Sequence, residues 1–335
     1  MYSLGELADR LGLAFTGDGH KRITGLASLS GAGPTDITFF AGKKYAAQLV
    51  ATRAAAVILP PEFVEQCPVD YLVADAPYLA LARVSSLFDR TPKTTPGVHA
   101  SAVVSPEARL HESASVGAHA VVEAGAVLGA NVVLGAGVYV GHDCRIGAGS
   151  RIYPNAVIYH EVSLGENCII HGQVALGADG FGFAQGPQGW EKIFQLGRLQ
   201  IGNGVEIGAG TTVDRGTLDD TVIEDGVIID NLVQIAHNCR IGKNTAIAGC
   251  VGLAGGTIIG AGCTLAGGVG VVGHVEICDN VHVTGMTMVT QSIKEPGSYS
   301  SGTRMASTRD WRRSAVRFSQ LESMQRRLAA LERKR

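Results

Sequence analysis

Residues 116–140 read VGAHAV VEAGAV LGANVV LGAGVY V, with an aliphatic residue at every sixth position. The same period holds without exception over residues 98–176, returns over 201–213, and continues in a shifted register over 223–289. An α-helix cannot keep such residues on one side, because at 3.6 residues per turn they would move around the helix. Three flat faces per coil can do so, and the period therefore predicts a parallel β-helix of roughly ten coils.

Small residues occupy two further positions of the repeat. Gly usually follows the aliphatic residue, as at Gly117 and Gly147, and it is predicted there because it adopts tight turns at little cost. Four of the seven cysteines lie four places after an aliphatic residue, namely Cys144, Cys168, Cys239 and Cys263. A coil needs a small inward side chain at that position, so these cysteines are predicted to fill the core rather than bind metal.

Composition suits one elongated protein that contains a solenoid. The 335 residues include 45 glycines and only 6% aromatic residues, which favours a solenoid over a conventional core. Because the hydrophobic residues are spread at period six, no run of about 18 apolar residues predicts a membrane span. The start, Met1 to Glu6, lacks the basic flank and apolar segment of an export signal. We therefore expect a cytoplasmic protein with no transmembrane segment.

Residues 1–96 do not follow the repeat and are predicted to form a small α/β domain. The predicted elements are a helix from the Ser3–Glu6 capping box to Leu11, strands at Ala55–Leu59 and Tyr71–Val73, and helical stretches at 45–53 and 78–88. The linker Thr91–Gly97 ends this domain and precedes a β-helix domain over 97–290. Residues 36–45 place aromatic residues and lysines around a Gly, which indicates either core packing or a surface that stacks a flat base.

The C-terminal extension, residues 291–335, is basic. It contains eleven Lys or Arg against four acidic residues, a net +7 that leaves −9 for the rest of the chain. Four apolar residues follow a 3-4-3 spacing: Leu321, Met324, Leu328 and Leu331. This spacing predicts an amphipathic helix over Trp311–Arg335 that packs against its equivalents in an oligomer. Its basic residues are either a solvated surface or a dock for an acidic partner, and no motif accompanies them that would indicate nucleic acid.

The repeat is interrupted twice, between Leu176 and Ile201 and between Val213 and Ile223. Insertions in a solenoid become loops on one face, which is often the binding face. The regular coils offer little chemistry of their own. The reactive residues are therefore expected beside these two interruptions.

Histidines are the main candidates for a base near neutral pH. His237 lies in the most polar coil, within Asp230–Asn238, and His274 follows about two coils later. Spacing alone does not choose between them. His142 and His160 are eighteen residues apart and should stack on adjacent coils, as a surface pair or as ligands of a metal.

Seven segments carry a resemblance to a known family: Ile37-Thr38-Phe39 with Lys44-Tyr45, Ile152–Asn155, Gly177–Gly182, Thr212–Gly216, Asp230–Asn238, Gly285-Met286 and Glu295-Pro296-Gly297. Through them the chain is similar, over essentially its whole length, to the UDP-3-O-(3-hydroxyacyl)glucosamine N-acyltransferases of lipid A synthesis. That family consists of hexapeptide-repeat acyltransferases. The resemblance implies a left-handed parallel β-helix, a homotrimer with active sites in the clefts between subunits, and transfer of a 3-hydroxyacyl chain from acyl carrier protein to UDP-3-O-acylglucosamine.

The resemblance also implies roles for residues of the β-helix. His237 matches the general base, which takes a proton from the 2-amino group as the nitrogen attacks the thioester carbonyl. Gly255 supplies the backbone N–H that stabilises the oxyanion. Asp230 or Asn231 orients the base or holds the 3-hydroxyl, and His274 helps to hold substrate. The reaction then requires no metal, cofactor or covalent intermediate.

Further implied roles concern the two ends of the chain. Phe39 and Tyr45 match the aromatic residues that sandwich uracil, which makes residues 1–96 a uridine-binding domain. Met288 matches the residue that closes the acyl channel. Gly42 and Gln291 depart from the family pattern, where Asn and Arg commonly stand. The basic C-terminal extension suits acyl carrier protein, which is strongly acidic.

Three other functions share parts of this pattern. A γ-type carbonic anhydrase also uses a hexapeptide prism and holds zinc with histidines, for which His142 and His160 are candidates. An O-acyltransferase of the preceding step would act on UDP-N-acetylglucosamine, but it would lack the domain formed by residues 1–96. A purely structural solenoid would not need the polar coil at His237 or the two interruptions.

Overall fold

A computed structural model describes residues 1–303 and 305–333. The chain divides into two compact units, Met1–Lys93 and Thr94–Arg335. The first unit contains strands Tyr2–Ser3, Ala14–Thr16, Arg22–Ile23, Gly25–Leu26, Asp36–Phe39, Ala56–Leu59 and Asp70–Val73, α-helices Leu4–Leu11, Ala46–Val50 and Pro77–Leu87, and 3-10 helices Lys43–Tyr45 and Pro61–Gln66. These elements confirm the predicted α/β fold of this part and the capping box at Ser3.

A five-stranded sheet organises the first unit. Its strand order is Ala14–Thr16, Asp70–Val73, Ala56–Leu59, Asp36–Phe39 and Gly25–Leu26, parallel except for the first pair. Alternate residues of the central strand enter different hydrophobic clusters, because successive side chains of a strand point to opposite faces. Ile58 packs in the cluster of Leu4 and Leu7, whereas Val57 packs in the cluster of Phe40 and Phe63.

The second unit is a parallel β-solenoid whose short strands form three sheets. The first sheet contains Gly97–Val98, Ser115–Val116, Val133–Leu134, Arg151–Ile152, Ile169–Ile170, Glu206–Ile207, Ile228–Ile229, Ala246–Ile247, Thr264–Leu265, Val281–Val283 and Gly297–Tyr299. The second contains Val103–Val104, Val121–Val122, Tyr139–Val140, Val157–Ile158, Ala175–Ala178, Thr212–Asp214, Gln234–Ile235, Gly252–Leu253, Gly270–Val271 and Met288–Val289. The third contains Arg109–Leu110, Val127–Leu128, Arg145–Ile146, Ser163–Leu164, Leu199–Ile201, Thr221–Ile223, Arg240–Ile241, Ile258–Ile259 and Glu276–Ile277.

The three sheets, of 11, 10 and 9 strands, confirm the predicted β-helix and its number of coils. In the regular coils each residue pairs with the residue eighteen places later, as Leu110 does with Leu128. We call the turn that follows each strand of the first sheet the first corner, and the turn that follows each strand of the second sheet the second corner. Asp230 lies at a first corner and His237 at a second corner.

The aliphatic residues of the repeat form one continuous core. Val140, Ile158, Ile207 and Ile235 are fully buried, like most of the residues at equivalent positions. The four cysteines that were predicted to fill the core are also fully buried and carry free thiols. Burial raises the pKa of the Cys144 and Cys239 thiols to about 11, so both remain protonated at neutral pH.

The glycines that follow the aliphatic residues have a different role from the predicted one. Neither Gly117 nor Gly147 has a positive φ, so the turn itself does not require them. A Cβ on Gly117 would lie 2.8 Å from the carbonyl carbon of Gly135, and a Cβ on Gly147 would lie 2.4 Å from that of Gly165. These glycines are therefore needed because successive coils approach closely. The left-handed conformation occurs two residues later, where Gly149 has φ 73°.

Two helices, Thr308–Ser319 and Leu321–Glu332, lie in the C-terminal extension where the sequence predicted one. The Ser319 hydroxyl donates to the Val316 carbonyl, and the Gln320 N–H bonds to the carbonyl three residues earlier, which closes the first helix. The predicted end at Lys334 and Arg335 lies outside the described residues. All four apolar residues of the predicted seam are exposed: Leu321, Met324, Leu328 and Leu331. Within the described residues, every helix is too short or too polar to cross a bilayer.

Candidate active site

His237 lies at a second corner, two residues after Ile235, and it is half-buried. Its Nδ1 atom is 3.2 Å from Thr217 Oγ1 and 2.9 Å from Asn238 Oδ1. A Cβ on Gly180 would lie 2.7 Å from the Cβ of His237, and a Cβ on Gly255 would lie 2.7 Å from Nε2. The ring therefore fits between two glycines, and Nε2 overlies Gly255.

Both interruptions of the repeat contact His237. The first contains Gly180, forms the hairpin of Phe183–Gly186 and Gly189–Lys192, and returns to the solenoid through the buried Gln195. The second contains Thr217, whose hydroxyl bonds to Gln195 Oε1 at 2.9 Å. The interruptions therefore meet at the imidazole, although they lie about 20 to 60 residues before it in the chain.

Within the described residues no group accepts from the backbone N–H of Gly255, because the residue at the same position of the next coil has no side chain. The carbonyl of Gly255 itself accepts a hydrogen bond from the His274 N–H at 3.0 Å. At the equivalent position of another corner, Asp279 reaches down from the next coil and accepts from the Ala261 N–H at 2.7 Å. The corresponding residue above Gly255 is Gly273, which has no side chain. Over the part of the chain that the structure describes, the Gly255 N–H therefore has no acceptor.

A cavity of about 730 Å³ lies over the second sheet and is bordered by Gly180 and Ala236, the neighbours of His237. Asp214 also lines it, and burial raises the pKa of this carboxyl from 3.8 to about 6. A hydrogen bond from Gln234 and the nearby His237 act in the opposite direction on the same pKa. The rim carries the ion pair of Lys192 and Asp179 with the aromatic residues Phe181 and Phe183.

The outer surface of the second sheet forms a groove toward Met288. Gln234, Gly252, Gly270 and Met288 stand at paired positions of successive strands. The two glycines leave the middle of this column without side chains. A Cβ on Gly270 would lie 3.2 Å from the sulfur of Met288, so that the methionine stands at the end of the groove.

Asp230 and Asn231 lie at a first corner, on the other side of the second sheet from His237. The Asp230 carboxylate accepts from the Asn231 and Gly249 N–H groups, and Asn231 Oδ1 accepts from the Ala209 N–H at 2.7 Å. They line a cavity of about 650 Å³ on the first sheet. Within the described chain neither residue is a hydrogen-bond partner of His237.

His274 lies at the same corner as His237, two coils further along the solenoid. Its ring adjoins Gly256, where a Cβ would lie 2.5 Å from Nδ1. In the first unit, Phe39 packs with the cluster of Leu4 and edge-on against the exposed Tyr78, with ring centroids 5.2 Å apart. Tyr45 packs with the other cluster and lies under Lys44.

His142 and His160 occupy equivalent positions on adjacent coils, but their side chains have separate partners. His142 Nε2 is 3.8 Å from Glu123, whereas His160 Nε2 contacts the guanidinium of Arg215. The described residues contain no cluster of three or more His, Cys, Asp or Glu side chains that could hold a metal ion.

Three side chains of the site were not predicted from the sequence, namely Gln195, Thr217 and Asn238. All three hold the imidazole or its neighbour. Their shared signal was position, because Gln195 and Thr217 each lie in an interruption of the repeat and Asn238 adjoins His237.

Comparisons with known proteins show the family of the chain. A family model for UDP-3-O-(3-hydroxymyristoyl) glucosamine N-acyltransferase, LpxD, matches residues 21–87, and a hexapeptide transferase model matches 125–159, 143–178 and 220–255. A UDP-3-O-acylglucosamine N-acyltransferase of Chromohalobacter salexigens is 52% identical over 333 residues, covering 99% of this chain and 96% of that one. The chain belongs to the UDP-3-O-acylglucosamine N-acyltransferase family. A family member of Pseudomonas aeruginosa is 49% identical over 99% of this chain and 94% of its own.

The crystal structure of Arabidopsis UDP-N-acetylglucosamine acyltransferase shares the fold. It aligns with a TM-score of 0.56 and 24% identity over 68% of this chain and 80% of that chain. At this level of identity the likeness shows the β-solenoid alone.

Proposed function

We propose that this chain transfers a 3-hydroxyacyl group from acyl carrier protein to the 2-amino group of UDP-3-O-acylglucosamine, in lipid A synthesis. The observation that carries the proposal is identity of about 50% to N-acyltransferases of that name over 99% of the chain. The alternatives lack comparable support. A purely structural solenoid would leave the half-buried His237 and the cavity beside it without a purpose.

His237 is the proposed general base. The nitrogen of the 2-amino group attacks the thioester carbonyl, and Nε2 of His237 takes one proton from that nitrogen as the carbon–nitrogen bond forms. The tetrahedral intermediate then collapses, the carbon–sulfur bond breaks, and the same proton neutralises the leaving thiolate. An amide and a free thiol result. A thioester is already activated, so the proposal includes no metal or cofactor.

Gly255 is the proposed oxyanion donor, and its free N–H beside Nε2 supports this role. Asp230 and Asn231 are proposed to reach the substrate from a second copy, since they lie at a different corner from His237 and beside their own cavity. This arrangement requires an oligomer, which we propose to be a homotrimer. His274 is proposed to hold substrate at the corner of the base.

The nucleotide and the acyl chain are assigned to different parts of the molecule. Phe39 and Tyr45 are proposed to stack on uracil, since both are half-buried aromatic residues beside the carboxyl end of a parallel strand. The groove over Gly252 and Gly270 suits an extended acyl chain, with Met288 at its end. The basic C-terminal extension is proposed to dock the acidic carrier, and the reaction is proposed to occur in the cytoplasm.

The direct test incubates the purified protein with UDP-3-O-acylglucosamine and a panel of 3-hydroxyacyl carriers, with the product identified by mass. We expect addition of one 3-hydroxyacyl group through an amide, and a KM for the carrier that rises with salt. The absence of an N-acylated product with every carrier would refute the proposal.

The uracil site is tested by Phe39→Ala. The KM for the nucleotide sugar should rise by about 10-fold with a smaller effect on kcat, because one stacked aromatic face contributes about 1–3 kcal/mol. Tyr78→Ala removes the exposed ring that packs edge-on against Phe39 and serves as the comparison variant. An unchanged KM in Phe39→Ala would remove uracil stacking from the proposal.

A further inference from the structure

The hydrogen-bond partners of His237 determine which ring nitrogen carries its proton. A neutral imidazole accepts a proton at Nε2 only when its single hydrogen is on Nδ1. We propose that Gln195 and Thr217 are positioning residues that hold His237 in the Nδ1–H form and leave Nε2 free as the base. This inference rests on the role proposed above for His237.

The orientation of Gln195 sets the direction of every hydrogen bond that follows. Its amide nitrogen donates to the Ile193 carbonyl at 2.9 Å, which directs Oε1 toward Thr217. An amide oxygen only accepts, so the Thr217 hydroxyl must donate its one hydrogen to Gln195. Thr217 Oγ1, 3.2 Å from Nδ1 of His237, is then able only to accept from the ring.

The second neighbour of Nδ1 is also an acceptor. Asn238 donates from Nδ2 to the Asp219 carbonyl at 2.7 Å, and its Oδ1 accepts from the Thr217 N–H at 3.1 Å. The same Oδ1 lies 2.9 Å from Nδ1 of His237. With two acceptors and no donor facing it, Nδ1 must carry the hydrogen.

Burial makes this direction rigid. Gln195 is only 6% exposed, so its amide cannot exchange partners with water, and reversing it would place Oε1 against the Ile193 carbonyl oxygen, where neither group can donate. Gln195 comes from the first interruption and Thr217 from the second. The Thr217 hydroxyl can therefore accept from Nδ1–H only because Gln195, from the other interruption, takes its hydrogen.

These hydrogen bonds predict that a substitution at Thr217 restores activity that a substitution at Gln195 removes. Gln195→Met keeps the volume but removes the acceptor, so the Thr217 hydroxyl becomes free to rotate and donate to Nδ1. That bond competes with acceptance by Asn238 Oδ1 and increases the fraction of the form with hydrogen on Nε2, which cannot act as the base. Thr217→Val removes the hydroxyl altogether, and Asn238 Oδ1 still accepts from Nδ1–H. The double variant should therefore be more active than Gln195→Met alone.

The experiment combines steady-state kinetics with ¹⁵N NMR of histidine-labelled full-length protein, in which the His237 signals are assigned by their loss in His237→Gln. We expect Gln195→Met to lower kcat about 10-fold with little change in KM, and to move the ¹⁵N shifts of His237 toward the Nε2–H form. Thr217→Ser should behave as the wild type. The double variant should recover most of kcat and the Nδ1–H signature.

Thr245→Val is the matched control. Thr245 is fully buried, its hydroxyl donates to the Gly260 carbonyl at 2.8 Å, and it has no contact with His237. Its loss should lower Tm without changing kcat or the ¹⁵N shifts. The inference is overturned if Gln195→Met keeps the Nδ1–H signature, or if the double variant is slower than both single variants. The NMR readout does not depend on the reaction, so the tautomer inference can fail while the acyltransferase proposal stands, and the reverse also holds.

Discussion

His160 and His237 occupy the same position of the repeat but have opposite surroundings. Each lies two residues after a fully buried isoleucine at a second corner of the solenoid. The Nε2 atom of His160 contacts the Arg215 guanidinium, which only donates, so its lone pair is already engaged. The Nε2 atom of His237 instead overlies Gly255, which has no side chain to engage it.

The difference arises from the interruptions rather than from the repeat. Below the insertions, the corner of His160 is filled by Arg215, which is only 1% exposed and also bonds to the Gly197 carbonyl and Glu161. Above them, Thr217, whose hydroxyl bonds to Gln195, supplies an acceptor to His237, and glycines leave space beside its ring. A regular coil places a histidine at the corner, and irregular chain determines whether that histidine is available to react.

The largest expected difference in kcat is between the variants that replace His237 and His142. His237→Ala should lower kcat by about 10²- to 10⁴-fold, because a general base typically contributes that much. His142→Ala removes an exposed histidine at the equivalent position of another coil and should leave kcat near the wild-type value. Both are measured by steady-state N-acylation. If His237→Ala retained more than about a tenth of the wild-type rate, His237 would not be the base.

Gly255 offers the next largest effect. In Gly255→Ala the new Cβ would lie 2.7 Å from Nε2 and Cε1 of His237, so the ring must move. We expect kcat to fall by about 10²-fold, which is typical of a 1 Å misplacement of a catalytic group. Gly267→Ala is the control, because Gly267 has the same place in its hexapeptide, at a first corner, and its Cβ would meet only the Gly249 carbonyl oxygen at 3.5 Å. Equal losses in both variants would indicate damage to the coil instead.

The sequence predicted the solenoid well because its core is periodic. The aliphatic residues at period six, such as Val140 and Ile158, needed no knowledge of distant contacts. The glycines after them were recognised but given the wrong physical reason, since the contact of Gly117 with Gly135 exists only after the coils have stacked. A sequence period shows which residues point into the core, but it does not show how closely successive coils approach.

The site was less accessible to sequence reasoning. His237 was one of two equal candidates until family resemblance favoured it, and Asp230 and Asn231 then lay at a different corner of the chain. Gln195 and Thr217 lie 42 and 20 residues before His237, and no spacing rule connects them to it. Only the folded insertions bring the three side chains together.

Removal of Arg215 tests how much the filled corner beside His160 stabilises the fold. Arg215→Met should lower the free energy of unfolding by about 2 kcal/mol, because it leaves the Gly197 carbonyl without its donor. Arg198→Met is the control, since Arg198 pairs with the same Glu161 at 3.3 Å but is 60% exposed, and about 0–1 kcal/mol is expected. Denaturant unfolding measures both.

The freed His160 should not replace His237. Its Nε2 faces the buried side chain at position 215, so Arg215→Met combined with His237→Ala should be as inactive as His237→Ala alone. Recovery of N-acylation in the double variant would show that position in the repeat is sufficient for function, contrary to the comparison above.

Asp214 gives the smallest expected effect, which depends on pH. It occupies the position that Tyr159 holds in the coil of His160, and burial raises the pKa of its carboxyl from 3.8 to about 6. The folded state therefore binds this proton more tightly than the unfolded state, and stability falls as pH rises from about 4 to about 6. Asp214→Asn avoids this loss, so its Tm should exceed that of the wild type above pH 6, with the difference disappearing near pH 4.

Asp225→Asn should show the opposite sign. Hydrogen bonding from the Asn203 N–H, with a smaller contribution from Lys243, lowers the pKa of the Asp225 carboxyl. Its contribution to stability is therefore present above the ordinary carboxyl pKa and is lost as pH falls, so the variant should be less stable than the wild type at neutral pH. Thermal unfolding from pH 4 to 8 compares the two variants. If Asp214→Asn were destabilised at pH 7 like Asp225→Asn, then the Asp214 carboxylate would stabilise the fold. Folding would then lower the pKa of Asp214, contrary to the effect of burial.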